Sequence, residues 1–513
     1  MSKKIKTILI AAVCMLLSVC MLLGISGCSS TAVTVSYVST EETEDGTVLY
    51  VYYTDGTYTT VQLTDSNDAT FSLRDLYEEY LVANNMTEDT YSYAEFLSSD
   101  YVKSMVTVTV NNVTVNTNDY TTTVANDLLS VVKIHAVESM TYSGGGQSFD
   151  YYSTYSGSGT IFDIDDDYVY IVTCYHVLFN VDNNDMADNI YVYLYGTDMT
   201  FGYTATKTVS GTSYPTELYY SEDAIYCEFI GGSYTEDVAV IRAEKSAVLA
   251  VNDAVQAVTF ADSYHVGGTA ITIGNYAGNG ISVTEGNVSV DSEYQNITVH
   301  SETTVNMWTA STTYYYGNYR VMRMDINSAS GNSGGGVFNA QGEYIGMLNA
   351  GNSSYTNYSY AIPVSVIQNS IANILHYYND GDSGTTGYMY AADLGLTLTS
   401  SESKGVVNSE TGGIEITENV VVAGVDSGSA ADNLGLQEGD IITAVTVDGT
   451  TYNITRTFNI EDLELIIYSG SQISITITRD GVADKTTQTY TVTSSDIGDK
   501  LAVSYKDLST TTG

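Results

Sequence analysis

At 513 residues the chain is too long for one ordinary domain, so about two or three are expected. Its 17 basic against 61 acidic residues leave a net charge of −44. That excludes a nucleic-acid binder, because phosphates need clustered Lys and Arg, and a hydrophobic content of 43% is enough to build cores.

The chain opens "MSKKIKTILIAAVCMLLSVCMLLGISGCSS", with Lys3, Lys4 and Lys6 before an apolar run from Thr7 to Leu23. This is the layout of an export signal. The stretch "ISGC", Ile25 to Cys28, resembles the lipobox of bacterial lipoprotein precursors. That resemblance implies a signal peptide over 1–28 and a lipidated Cys28 tethering the protein to the outer face of the cell membrane. An uncleaved signal anchor is the alternative. Cys174 and Cys227 form neither a disulfide framework nor a zinc pattern; two free buried thiols or one pair are both open. The five His (135, 176, 265, 300 and 376) have no metal-ligand spacing, so no metal and no cofactor is expected.

Residues 29–123 read as a small module or stalk without evident chemistry. The runs flanking Asp55-Gly56 predict a hairpin. Leu73, Leu76, Tyr77 and Tyr80 fall at helical spacing, and a second short helix is predicted at Tyr91 to Leu97. From about 124 to 378 the pattern becomes many short β-branched strands with Gly, Asn and Asp turns, as in an all-β barrel or sandwich. A helix near Pro363 to Tyr378 closes it. Residues 379–387 read as a linker, 388–505 as a second β-rich domain with a helix-turn unit at "SGSAADNLG", and 506–513 as a tail.

Three stretches of the long β-rich region carry chemistry. His176 ends the strand "YVYIVTCYHV", Asp237 begins "DVAVIRA", and Ser333 sits in "GNSGGG". A hydroxyl, an imidazole to take its proton and a carboxylate to fix the imidazole tautomer are the parts of nucleophilic hydrolysis. The glycines fit a turn that aims the N–H groups of Gly331 and Ser333 at a developing oxyanion, worth very roughly 3 kcal/mol per donor.

"SGSGTIFDIDDDYVYIVTCYHV", "EDVAVIR", "AITIGNYAG" and "INSASGNSGGGVFNAQGEYIGM" resemble the successive motifs of the HtrA-type (high-temperature-requirement) trypsin-like serine proteases. The resemblance implies a mostly β fold, a double β-barrel followed by a PDZ domain. It also implies His176 as general base, Asp237 as its orienting acid, Ser333 as nucleophile, and Gly331, Asn332 and Ser333 as the oxyanion loop. Asn327 would lie at the base of the S1 pocket and, not being an acid, favour small uncharged side chains. Leu348, Asn349, Ala350 and Gly351 would pair with the substrate backbone. The C-terminal region resembles a PDZ domain whose loop Leu394, Gly395 and Leu396 receives a peptide's terminal carboxylate. Cys174 and Tyr175 before the histidine, and Gly336 after the glycine pair, depart from the family pattern.

The implied function is a membrane-tethered endopeptidase of extracytoplasmic quality control, acting on unfolded or misfolded polypeptides. A catalytically silent scaffold or chaperone, or a processing protease for one surface substrate, are the alternatives. A homo-oligomer is possible for the family, but the N-terminal region shows no pattern that decides it.

Overall fold

The computed structural model describes residues 35–43, 46–53, 58–62, 77, 81, 121–180, 185–305, 310–351, 356–379, 387–408 and 413–512. The signal segment, Cys28 and the helix expected at 91–97 lie outside these. The chain divides into two units, Met1–Asp119 and Tyr120–Gly513. In the first, Val35–Thr43, Gly46–Tyr53 and Tyr58–Gln62 form an antiparallel three-stranded sheet, and the two strands flanking the expected hairpin pair with each other, while Asp55 and Gly56 lie outside the described residues. Of the helix expected at 73–80, Tyr77 is described and is helical.

The second unit is built mainly of strands. One sheet runs in the order Val238–Glu244, Tyr168–Thr173, Gln147–Ile164, Val131–Gly144, Asn189–Leu194, Ile225–Ser233. It closes into a barrel because Ile225–Ser233 pairs back onto Val238–Glu244. Within it "VVKIHAV", Val131 to Val137, is buried at all but His135, since one face fills the barrel and the other meets neighbouring elements. A second sheet orders Glu343–Gly351, Gly336–Phe338, Thr269–Asn275, Ile281–Val305, Ala310–Met324 and Ser359–Pro363, and closes where the last strand pairs with the first. Pro363 ends that strand and the helix Val364–Asn379 follows at once, a junction suited to proline's fixed φ and missing N–H.

The third sheet runs Leu396–Val407, Ile414–Val425, Ile441–Val447, Gln472–Arg479, Val482–Thr486. Ile473, Ile475 and Ile477 are buried in alternation, the period of a strand with one face on a core. They meet Ala430, Ala431 and Leu434 of the short helix Ala430–Leu434 and Ile460 and Leu463 of Phe458–Glu464. "SGSAADNLG" supplies both ends of the first helix. Ser429 caps it by accepting from the Asp432 N–H, and Gly435 ends it at φ 78°.

Two boundaries differ from expectation. Gly387, expected in the linker, and Tyr388, expected in the C-terminal domain, pair in parallel with Gly231 and Gly232, adding an edge to the first barrel, and Met389 is buried in that barrel's core. Residues 509–512 are not a free tail: Ser509–Thr512 pairs with Ala310–Met324. Among the described residues no helix is long and apolar enough to cross a membrane.

Candidate active site

His176 lies in a single helical turn, Tyr175–Leu178, immediately after the strand Tyr168–Thr173. Tyr175, Val177 and Leu178 are buried, which pins the turn and leaves the imidazole as its exposed member, with 34% of the side chain accessible. Asp237 begins the next strand of the same barrel and is 1% exposed. Its carboxylate accepts from His176 Nδ1 at 2.7 Å, from the His176 N–H at 2.9 Å and from Asn349 Nδ2. These three donors supply the hydrogen bonds that burial denies the carboxylate from water. Burial works against an imidazolium at His176, but the charge of Asp237 and its hydrogen bond outweigh it, and the pKa is raised above 6.5.

Ser333 arrives from the second barrel. The turn that carries it is braced from the first by Ser158, whose N–H donates to the Ser333 carbonyl (2.8 Å) and whose hydroxyl donates to the Gly331 carbonyl (2.7 Å). The Asn275 N–H donates to the same hydroxyl. Gly331 and Gly334 hold φ of 95° and 87°. A Cβ at Gly334 would stand 2.0 Å from the Ser158 carbonyl oxygen, and one at Gly331 2.4 Å from that of Asn275. We therefore expect Gly334→Ala to cost at least about 3 kcal/mol, seen as a lowered Tm in thermal unfolding.

The structure thus brings His176, Asp237 and the Ser333 turn together across the two barrels, but not every expected contact is made. The Ser333 hydroxyl donates to the Asn349 carbonyl (3.1 Å) rather than to the imidazole. His176 Nε2 makes no hydrogen bond among the described residues. Catalytic contacts of this kind often tighten only with substrate. The N–H groups of Gly331 and Ser333 also have no partner among the described residues. The N–H of Asn332, by contrast, donates to the Ala329 carbonyl (3.1 Å), so Asn332 shapes the loop and is not a third oxyanion donor.

A cavity of about 430 Å³ opens beside Ser333. Asn327, Leu348, Asn349, Ala350 and Gly351 all line it. Ser328, Ser330 and Tyr358 line it too, so its wall is more polar than the sequence led us to expect. Tyr358 was not anticipated; Arg323 donates to its hydroxyl at 2.6 Å and so fixes the ring. The departures have local causes. Gly336 makes room for the Phe338 ring, which would lie 2.5 Å from a Cβ. Cys174 is buried and donates through Sγ to the Leu348 carbonyl. Burial, then the Asp237 charge, raises its pKa well above the thiol range.

Cys174, His176 and Asp237 offer ligand atoms within 4.8 Å of one another. They suit a metal poorly: the thiol is held protonated and the carboxylate is already committed to three donors. Cys174 and Cys227 are both free. Of Leu394, Gly395 and Leu396, the Gly395 N–H is engaged within the chain, donating to the Asp393 carboxylate at 2.9 Å.

Comparison with known proteins agrees with this geometry. Residues 157–347 match the model of the trypsin-like peptidase domain. A probable periplasmic serine protease do/HhoA-like of Haemophilus influenzae is 30% identical over 264 residues, 50% of this chain and 47% of that protein. The serine protease Do-like HtrA of Lactococcus lactis is 27% identical over 289 residues, 53% of this chain and 62% of that one. The chain therefore spans about half to three fifths of these relatives' lengths. Among solved structures, the HtrA-type protease AlgW with a decapeptide aligns at TM-score 0.41 and 20% identity, over 73% of this chain and 98% of that one. Residues 157–347 form a trypsin-like serine peptidase domain, similar to that of HtrA-type proteases.

Proposed function

We propose that the protein is a serine endopeptidase in which Ser333 Oγ attacks the scissile carbonyl and His176 Nε2 takes its proton. Asp237 holds the imidazole with its proton on Nδ1 and offsets the charge that forms. The free N–H groups of Gly331 and Ser333 receive the oxyanion, and His176 returns the proton to the leaving amine. Water then repeats the sequence on the acyl-enzyme. The observation that carries this reading is the three-donor cradle around Asp237, which fixes His176 with its Nε2 unengaged beside the Ser333 turn.

Among the described residues, those lining the cavity beside Ser333 include no acidic side chain, which favours cleavage after small uncharged residues such as Val, Ala or Ile over Arg or Lys. The strand Glu343–Gly351 supplies backbone for pairing with substrate. The C-terminal sheet acts as a PDZ domain. Its first strand, Leu396–Val407, lies at the sheet edge and is open to an added peptide strand, with Leu394, Gly395 and Leu396 facing the peptide's C-terminus. Anchored through Cys28 on the extracytoplasmic face, such an enzyme suits removal of unfolded or misfolded exported polypeptides. A catalytically silent scaffold has one observation in its favour, the Ser333 hydroxyl turned to Asn349.

The test is digestion of unfolded casein and of a peptide library by the purified full-length chain. We expect casein to be degraded and library cuts to follow Val, Ala and Ile. Intact casein would favour the scaffold, and cuts concentrated after Arg would overturn the specificity.

A further inference from the structure

Residues 501–505 leave the strand Ile497–Lys500 and run behind the catalytic base. The Leu501 N–H donates to the Met389 carbonyl (2.8 Å). The Ala502 carbonyl accepts from the Tyr234 N–H (2.6 Å) and from Ser233 Oγ (3.0 Å), while the Ala502 N–H donates to Thr235 Oγ1 (2.9 Å). The Val503 carbonyl accepts from the Tyr175 hydroxyl (2.8 Å). So two consecutive residues near the C-terminus hold both the segment leading into Asp237 and the residue preceding His176.

These attachments meet at a place that needs holding. Asp237 adopts φ 50°, a conformation that a non-glycine residue keeps only when its surroundings over-determine it. Its carbonyl accepts from the Tyr175 N–H (3.2 Å), joining the two catalytic segments. The Tyr175 ring packs edge-on against Tyr234 at 4.8 Å and stacks on Phe179, completing an aromatic block beneath the His176 turn. Further along, Tyr505 is 2% exposed, donates to Glu302 (2.8 Å) and packs on His300 and Tyr315. Ser509–Thr512 then joins the second barrel as an edge strand. Fixed at both ends, the segment between is under no freedom to drift.

We propose that residues 501–505 are a positioning element for the His176–Asp237 pair, so that catalytic competence depends on a segment that follows the C-terminal sheet. Neither Tyr175 nor Val503 touches substrate; both act through the base. This inference rests on the peptidase reading above.

Two variants test it, with kcat and KM measured separately on a small chromogenic peptide. Tyr175→Phe keeps the ring and removes the hydroxyl; we expect kcat to fall three- to tenfold, roughly the worth of one buried hydrogen bond, with KM within twofold. A chain ending at Lys500 should lose about a hundredfold or more in kcat, and a synthetic peptide of residues 501–512 added in trans should restore part of it. Wild-type kcat in Tyr175→Phe overturns the proposal, whether or not the truncated chain folds. So does a folded truncated chain whose kcat stays within twofold of wild type, or one that the peptide does not rescue. A wild-type chain with no turnover at all would instead sink the peptidase reading and take this proposal with it.

Discussion

Ser333→Ala is expected to abolish turnover, lowering kcat by about 10⁵- to 10⁶-fold while peptide binding persists. The substitution removes one oxygen from a half-buried side chain whose one hydrogen bond among the described residues is to the Asn349 carbonyl. The braces from Ser158 reach the turn through backbone atoms and are untouched. Folding should therefore be unaffected, and thermal unfolding of the variant should match wild type. What remains above the uncatalysed rate would come from the Gly331 and Ser333 N–H groups and from binding alone. Steady-state kinetics on a chromogenic peptide, with binding of an uncleaved peptide measured in parallel, check both halves of the expectation.

Asp237→Asn is expected to lower kcat by roughly 10⁴-fold, because an amide nitrogen facing Nδ1 favours the wrong imidazole tautomer. It also carries a signed pH effect. His176 works as a base only when neutral, so kcat/KM rises with pH through its pKa. In the wild type that pKa is raised, since the Asp237 charge and hydrogen bond outweigh burial, and the acid limb should lie above the ordinary histidine value of 6.5. Removing the charge leaves burial acting alone. The acid limb of the residual activity should then move to lower pH. A pH profile of kcat/KM for both chains decides it; an acid limb that stays put would mean Asp237 does not face the base in solution.

The candidate triad residues stood out in the sequence because each sits in a local motif and the motifs come in a fixed order. Ser158, Asn349 and Tyr358 were harder for a physical reason. Their roles are contacts across barrels, between residues such as Ser158 and Ser333 that no local pattern links. Asn349 was expected to offer only backbone to substrate, yet its side chain holds Asp237. The strands themselves could be read from β-branched runs, but the fate of Gly387 and Tyr388 could not. Their parallel pairing depends on Gly231, where a Cβ would stand 2.3 Å from the Gly387 oxygen, a fit visible only once both strands are in place. The C-terminal residues looked like a tail because "YKDLSTTTG" has no apolar run. Tyr505 and four residues of edge strand suffice to dock it. Tyr175 broke the family pattern beside the histidine, and its reason lies in Val503, at the opposite end of the sequence.

The central claim is that Ser333 is a nucleophile activated by His176 beside an oxyanion hole. Labelling of the native chain with a fluorophosphonate, followed by peptide mapping, tests it most directly. We expect one adduct, on Ser333, formed in the wild type and lost in His176→Ala. Absence of any adduct in the folded wild-type chain, or an adduct on another serine, would contradict it.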